Sequence, residues 1–328
     1  MKRTSLIKQI AASLLIITCV SCNKQSAKLK GSSQENSELK GTISISGAFA
    51  LYPMTARWAE EFQKIHPKVR IDISAGGAGK GMTDALSGIV DLGMFSRGIT
   101  DVEKAKGVWW IAVTQDAVLP TVNASNTNIE NVKEIGFTKN DFIACFLTRE
   151  IKTWKKWEKG NNSENISMNV YTRSDACGAA QMWGEYLGKN QEDLLGIGIY
   201  GDPGMADAVK NDKQGIGYNN VIYVYDINTR KKHEGIDIIP IDLNENGKID
   251  DDEKLYDSLD QIMHAIKEGK YPSPPARDLY FVAKGKPNKR VVLEFLKWIL
   301  SDGQQFVKEA GYVQLQDEKL KNGIASLE

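Results

Sequence analysis

Asn169-Val170-Tyr171-Thr172-Arg173-Ser174-Asp175-Ala176-Cys177-Gly178 reads as a strand running into a tight turn, with Ala179-Ala180-Gln181-Met182-Trp183 opening a helix. An arginine at such a turn faces the unpaired N–H groups of the helix start. Both favour an anion, the guanidinium through a planar fork of donors and the helix start through backbone dipoles. Two further stretches have this shape without the arginine. Thr42-Ile43-Ser44-Ile45-Ser46-Gly47-Ala48 leads into a helix near Pro53. Val69-Arg70-Ile71-Asp72-Ile73-Ser74-Ala75-Gly76-Gly77-Ala78-Gly79 leads into a helix from about Lys80. Three helix N-termini and one arginine are enough to enclose a small oxyanion.

The rest of the chain repeats the alternation. A helix over Met54–Ile65 carries Met54, Trp58 and Phe62 at helical spacing, and Ile89–Met94 reads as a short buried strand ending at Phe95-Ser96-Arg97. Trp109–Val113 begins another strand, and Val118–Asn123 reads as a crossover. Helices and strands alternate from about Asn131 to Tyr225. Asp278–Val282 is strand-like, while Val291–Leu300 and Gln304–Ala310 are amphipathic helices. Alternating elements predict an α/β class with a largely parallel or mixed sheet.

Bulk properties narrow the function. The chain has 328 residues, 41% hydrophobic and 26% charged, an ordinary globular composition that suggests two domains. Lys+Arg and Asp+Glu balance at 42 each, so no long-range field argues for nucleic acid or an anionic membrane surface. An anion site here must rely on local dipoles.

Residues 1–22 read as a targeting segment. Met1-Lys2-Arg3 is a basic start, and the apolar stretch Ile10–Val20 is too short to span a bilayer. Ser21-Cys22 resembles the lipobox of bacterial lipoproteins, which makes Cys22 the expected lipidation site, with Cys19 a second candidate and a plain cleaved signal peptide the alternative. Residues 23–40, rich in Ser, Lys, Asn and Gln, read as a solvated tether. No acidic cluster follows Cys22, so the expected location is the periplasmic face of a bacterial membrane. Of the remaining cysteines, Cys145 sits in the apolar run Phe142-Ile143-Ala144-Cys145-Phe146-Leu147 and reads as a core thiol. A Cys145–Cys177 disulfide is not the expected state.

These residues together resemble the periplasmic phosphate-binding proteins of ABC transporters over nearly the whole mature length. Gly47-Ala48-Phe49-Ala50-Leu51-Tyr52-Pro53 with Trp58 and Phe62 looks like the family's first anion loop. Gly76-Gly77-Ala78-Gly79-Lys80-Gly81, followed by Asp91-Leu92-Gly93-Met94-Phe95-Ser96-Arg97, is similar to its second loop and the strand end after it. Arg173-Ser174-Asp175-Ala176-Cys177-Gly178 resembles the family's Arg-Ser-Asp-x-Ser-Gly-Thr loop. Phe295-Leu296-Lys297-Trp298 and Gly303-Gln304 to Gly311-Tyr312 look like its C-terminal helices.

The resemblance implies a type II periplasmic-binding-protein fold: two α/β lobes, two hinge crossings and a ligand cleft. Lobe I would comprise 41–116 and 278–328, and lobe II 117–277. The implied ligand-binding set is Ala48, Phe49, Ala50 and Leu51, then Ala78 and Gly79, then Ser96 and Arg97, then Arg173, Cys177, Gly178 and Ala179. The implied partners are an inorganic oxyanion, phosphate first, and ABC permease subunits, with the binding protein itself a monomer. Departures from the family pattern bear on the ligand. Ala48, Ala78, Cys177 and Ala179 stand where the family carries hydroxyls. A hydrogen bond to a charged acceptor contributes about 1.5–3 kcal/mol, so several such losses weaken phosphate binding unless backbone or water replaces them.

A second site is read independently. Asp242-Leu243-Asn244-Glu245-Asn246-Gly247-Lys248-Ile249-Asp250-Asp251-Asp252-Glu253 fits the twelve-position calcium loop. Asp242, Asn244 and Asn246 supply oxygens at positions one, three and five, Gly247 the sharp turn, and Lys248 a backbone carbonyl. Asp250 acts through water and Glu253 through both oxygens, with Ile249 the apolar anchor. Lys254–Gly269 reads as the exiting helix, whereas the entering Ile236–Ile241 is strand-like. The expected cofactor is therefore a single structural Ca²⁺ inserted in lobe II at 242–253.

Other candidates are weaker. His66, His233 and His264 have no metal-ligand spacing. Trp109-Trp110 and the Trp154/Trp157 pair read as packing residues rather than ligand platforms. Arg277 follows a proline-stiffened stretch at the expected hinge, within reach of the cleft. No residue is assigned a catalytic role. The competing readings are a cysteine-dependent enzyme built on Cys177, and a lipoprotein that senses or scavenges oxyanions or phosphoesters without a permease.

Overall fold

The computed structural model describes residues 38–158 and 165–328. Cys22 and the targeting segment lie outside the described residues. Among these residues nine strands form one continuous mixed sheet: β1 (Gly41–Gly47), β2 (Val69–Ala75), β3 (Leu92–Phe95), β4 (Val108–Asn123), β5 (Asn169–Arg173), β6 (Ile197–Ile199), β7 (Gly215–Asn220), β8 (Ile236–Ile238) and β9 (Ala276–Lys284). Their order is β2-β1-β3-β9-β4-β7-β5-β6, with β8 paired to β4. Pairing is parallel where helices cross over, as in β1/β2, β1/β3, β5/β6 and β5/β7, and antiparallel along β4 and β9.

Two apolar cores flank this sheet. One gathers Ile43, Trp58, Phe62, Met94, Phe281 and Phe295, and the other Phe137, Phe142, Trp154, Trp157, Trp183 and Tyr218. The pattern at the tryptophans is packing: Trp157 stacks on Phe137 at 3.7 Å between ring centroids, and both Trp154 and Trp157 are fully buried. We call the two halves lobe I and lobe II. β4 runs through both. Its first part, Val108–Ala117, pairs with β9, and its second part, Val118–Val122, pairs with β7. The expected crossover at Val118–Asn123 is thus the second half of one 16-residue strand, not a separate connection.

Other boundaries also move. The helix Ala78–Ser87 starts two residues before Lys80, because Gly77, at φ 89°, turns the chain directly into it. Ile89–Asp91 are turn residues, and β3 begins only at Leu92. Gln304–Ala310 is not a continuous helix. A 3-10 turn over Asp302–Phe306 is followed by a reversal that lets Tyr312 donate its hydroxyl to Ala50 O at 2.8 Å. The helix after the acidic loop starts at Leu259 rather than Lys254. Ser258 caps it by accepting from Gln261 N, and Asp257 and Ser258 break the apolar period before it. No helix of the described residues is long and apolar enough to cross a membrane.

Candidate functional site

The three strand-to-helix turns meet between the lobes. β1 ends at Gly47 and passes through Ala48–Leu51 into the helix Tyr52–Ile65. Ala48, Ala50 and Leu51 pack into the core of lobe I, which leaves Phe49 as the side chain of this loop that faces lobe II. Its ring lies 5.9 Å from the Arg173 guanidinium carbon and edge-on to Tyr200, and its carbonyl accepts from the Tyr223 hydroxyl at 3.1 Å. The second loop touches the third: Gly79 N donates to Ala176 O at 3.1 Å. Ala78 is buried behind it. Ser96, at the end of β3, is buried against Gly178 so closely that a Cβ on Gly178 would stand 2.6 Å from the Ser96 carbonyl carbon. Arg97 turns elsewhere. Its guanidinium makes two hydrogen bonds to Glu103, at 2.7 and 3.0 Å, in the capping box that starts the next helix.

Arg173 ends β5 with its side chain fully buried. Nε and Nη2 donate to Asp175 at 2.8 and 2.7 Å, while Nη1 lies 2.9 Å from Asp202 Oδ2. Burial opposes its charge, yet the Asp202 and Asp175 carboxylates more than offset this and raise its pKa. Gln191 fixes the turn by accepting from Cys177 N and donating to Asp175 O. Cys177 is the N-cap of the helix Gly178–Tyr186, its sulfur accepting from Ala180 N at 3.4 Å, and Ala179 is buried next to it. Burial pushes the Cys177 thiol up to about 12, so it is a neutral packing group and not a thiolate nucleophile. Cys145, fully buried in the other wall of the same core, is also a free thiol.

The structure adds Asp202, Asn220 and Asp116, which were not singled out, and joins them to Arg277. Asp202 stands in the first turn of the helix Gly201–Asn211, and it accepts from the Asn220 side chain. Asn220 in turn accepts from Arg277, and Arg277 pairs with Asp116, Nε to Oδ1 at 3.0 Å. Asp116 and Arg277 face each other in register on β4 and β9, where both strands pass between the lobes. All four side chains are buried. Burial drives the Asp116 carboxyl up to about 7 against the pull of Arg277, with Asp202 adding to the rise. It raises Asp202 as well, against Arg173 and Arg277. A signal for Asp202 existed. Gly201-Asp202-Pro203-Gly204 follows β6 and is a fourth strand-to-helix turn with an acidic residue and proline at the helix start.

The acidic loop lies on lobe II. Ile241 bridges Phe137, and Ile249 N donates to Glu134 O at 2.8 Å, so the loop is docked on the Gly136 turn. Its two buried carboxylates point into the loop. Asp242 accepts from Asn246 N and Gly247 N, and Glu253 from Leu243 N, Asn244 N and Asp250 N. Asp250 takes the Asn244 and Asn246 amides, and its carboxyl is held down to about 2 by Lys248 first and by those amides. Among the described residues no three His, Cys, Asp or Glu side chains stand as a metal cluster. The donor set is oxygen only, mixed carboxylate, amide and carbonyl, which suits Ca²⁺ and no softer ion.

Comparison with known proteins agrees with this geometry. A model of the PBP superfamily domain matches residues 32–303. The chain is 26% identical over 305 residues to the phosphate-binding protein PstS of Staphylococcus epidermidis, covering 90% of this chain and 86% of that one. It is 25% identical to PstS of Staphylococcus haemolyticus, covering 88% and 86%. Among solved structures it is similar to a candidate phosphate ABC transporter substrate-binding protein with bound phosphate from Clostridium perfringens. The TM-score is 0.67 at 20% identity, over 84% of this chain and all of that one. It is also similar to an ABC-type phosphate transport receptor from Vibrio cholerae, with TM-score 0.59 at 17% identity, over 83% and all of that chain. These likenesses give the type II periplasmic-binding-protein fold.

Proposed function

The chain belongs to the PBP superfamily, and from that premise we propose that it is the solute-binding component of an ABC importer, capturing an oxyanion, phosphate first, between its lobes. The observation that carries this reading is Arg173: a fully buried guanidinium at a strand end, held by Asp175 and Asp202 and met across the cleft by Phe49. A guanidinium fixed beside a helix start favours an anion through its fork of donors and through the backbone dipoles. The names of the phosphate-binding relatives support phosphate over other anions.

Anion and arginine meet in a site with few hydroxyls. Ala48, Ala78, Cys177 and Ala179 stand in its turns with their side chains packed into the cores, so the ligand relies on Arg173, Ser96 and backbone donors. Isothermal titration with phosphate, sulfate, molybdate, tungstate and small phosphate esters tests the assignment. One-to-one saturable phosphate binding is expected, weakened in Arg173→Lys, where charge survives without the fork, and abolished in Arg173→Ala. Unchanged affinity in both variants would remove the site from Arg173. Absence of binding by every anion would end the oxyanion reading.

Two features complete the proposal. Ser21-Cys22 supports attachment of the mature chain through a lipid on Cys22 at the periplasmic face. Asp242, Asn244, Asn246, the Lys248 carbonyl, Asp250 and Glu253 would hold Ca²⁺, whose charge would tie the two ends of the loop together and fix it on lobe II. Labelling by lipid precursor in cells, lost in Cys22→Ala, checks the first.

A further inference from the structure

The buried groups around Arg173 do not balance in charge. Arg173 and Arg277 face Asp175, Asp202 and Asp116, two cations against three carboxylates, all with side chains no more than 8% exposed. The five are joined without a break: Asp175 to Arg173, Arg173 to Asp202, Asp202 through Asn220 to Arg277, and Arg277 to Asp116. With every carboxyl ionised the ladder carries one excess negative charge before any ligand arrives. A phosphate dianion would raise this to three in a site closed from water, where uncompensated charge is strongly unfavourable. Arg173 has no spare cationic capacity either, because Asp175 takes two of its nitrogens and Asp202 faces the third.

We propose that Asp202, Asn220, Arg277 and Asp116 are the charge-balancing half of the anion site, and that capture of a phosphate-class oxyanion at Arg173 is accompanied by uptake of one solvent proton onto the Asp202–Asp116 pair. This rests on the oxyanion reading above and adds to it the residues that set its pH range. The surroundings of both carboxyls favour the step. Asp202 faces Arg173 on β5, Asp175 after it, Arg277 on β9, Asn220 on β7 and the Tyr223 hydroxyl in the short helix Val221–Val224. Asp116 faces Arg277, Asp202, Tyr223 and Tyr312. Burial outweighs the arginines in each case and raises both carboxyls above the ordinary carboxylate range. A proton on either member serves the whole ladder, since the two titrate as one coupled system. Neutral Asp202 releases Arg173 Nη1 to the anion. Neutral Asp116 leaves Arg277 to compensate Asp202.

The experiment is calorimetry of phosphate binding to the full mature chain, at a pH well above neutrality where phosphate enters as the dianion. Two buffers of different ionisation enthalpy give the proton count. The wild-type protein is expected to take up about one proton per phosphate, and its affinity to fall about tenfold per pH unit on the alkaline side. The ³¹P resonance of bound phosphate is expected at the dianion position, which assigns the proton to the protein without any variant. In Asp202→Asn the uptake should fall toward zero and the alkaline affinity should rise about tenfold or more. Binding without proton exchange in the wild type overturns the proposal. So does a bound monoanion with unchanged uptake in Asp202→Asn, because the ligand then carries the proton. If the wild type binds no phosphate at any pH, the oxyanion reading fails first and this inference falls with it.

Discussion

Replacing Gly178 by alanine separates closure of the cleft from stability of the fold. Gly178 is the first residue of its helix and has an ordinary backbone conformation, so alanine costs the helix nothing and improves its propensity slightly. Across the cleft the situation differs. The new Cβ would lie 2.6 Å from the Ser96 carbonyl carbon, and closer still to its carbonyl and hydroxyl oxygens. Normal contact needs the two lobes to part by about 1 Å here, and trimming the Ser96 side chain cannot help because its backbone carbonyl remains. Overpacking of this kind costs about 1–3 kcal/mol. Charged to closure alone, that is about a 5- to 150-fold loss of ligand affinity. The assay is phosphate titration of Gly178→Ala beside wild type, with small-angle scattering on each in saturating phosphate and a thermal melt without ligand. We expect weaker binding, a larger radius of gyration and an unchanged or slightly higher melting temperature. Unchanged affinity would mean that ligand binding does not need the Ser96–Gly178 contact, and the cleft described here would not be the ligand-bound arrangement.

Three other outcomes follow from the same geometry. Asp116 has a folded pKa of about 7 against an ordinary value of 3.8, so its contribution to stability is complete below the lower value and lost as the pH rises through the upper one. The melting temperature of the ligand-free protein should therefore fall across that window relative to Asp116→Asn, and parallel curves would show that Asp116 does not hold a proton in the fold. Cys177→Ser with Ala179→Thr should strengthen phosphate binding, because a serine caps the helix and both hydroxyls stand at an anion-facing helix start. No gain in titration would mean that loop conformation rather than hydroxyl content governs selectivity. Chelator should lower the melting temperature and Ca²⁺ restore it far better than Mg²⁺, with Glu253→Gln abolishing most of the difference. A wild-type melt indifferent to chelator would reduce the Asp242–Glu253 loop to an acidic turn.

Much of lobe I and the arginine turn was legible because these strand-to-helix turns carry a glycine and each helix opens on a recognisable start. Gly47, Gly77 and Gly178 are of this kind, and all three sit where another part of the chain approaches too closely for a Cβ. What the sequence concealed was long-range pairing. Val118–Asn123 looks like a connection because Pro120 interrupts an otherwise regular strand. The structure accommodates the proline within β4, opposite Tyr218 of β7. Arg97 was grouped with the cleft on the strength of its place after β3, but the Thr100–Glu103 capping box three residues on captures it. The Asp202–Asn220–Arg277–Asp116 ladder could not be read as a unit, although Asp202 and Arg277 each carried a local signal. Its members come from four separate elements, and nothing local in Asn220 or Asp116 distinguishes a buried ion pair from a surface one.

The position of β9 has a consequence for how the molecule is made. In lobe I this strand lies between β3 and β4, so the middle of the sheet is supplied by residues 276–284 while its neighbours come from residues 92–123. A growing or translocating polypeptide can assemble the second lobe from a contiguous stretch. The first must wait, with Met94 and Phe95 lacking the strand that pairs with theirs, until nearly the last fifty residues have arrived. A chain that ends before Ala276 should therefore leave its N-terminal third open to proteases. In pulsed hydrogen exchange during refolding, the amides of β3 and β9 should gain protection together, after those of β5 and β7. Simultaneous protection of all four strands would show that lobe I has no such delay.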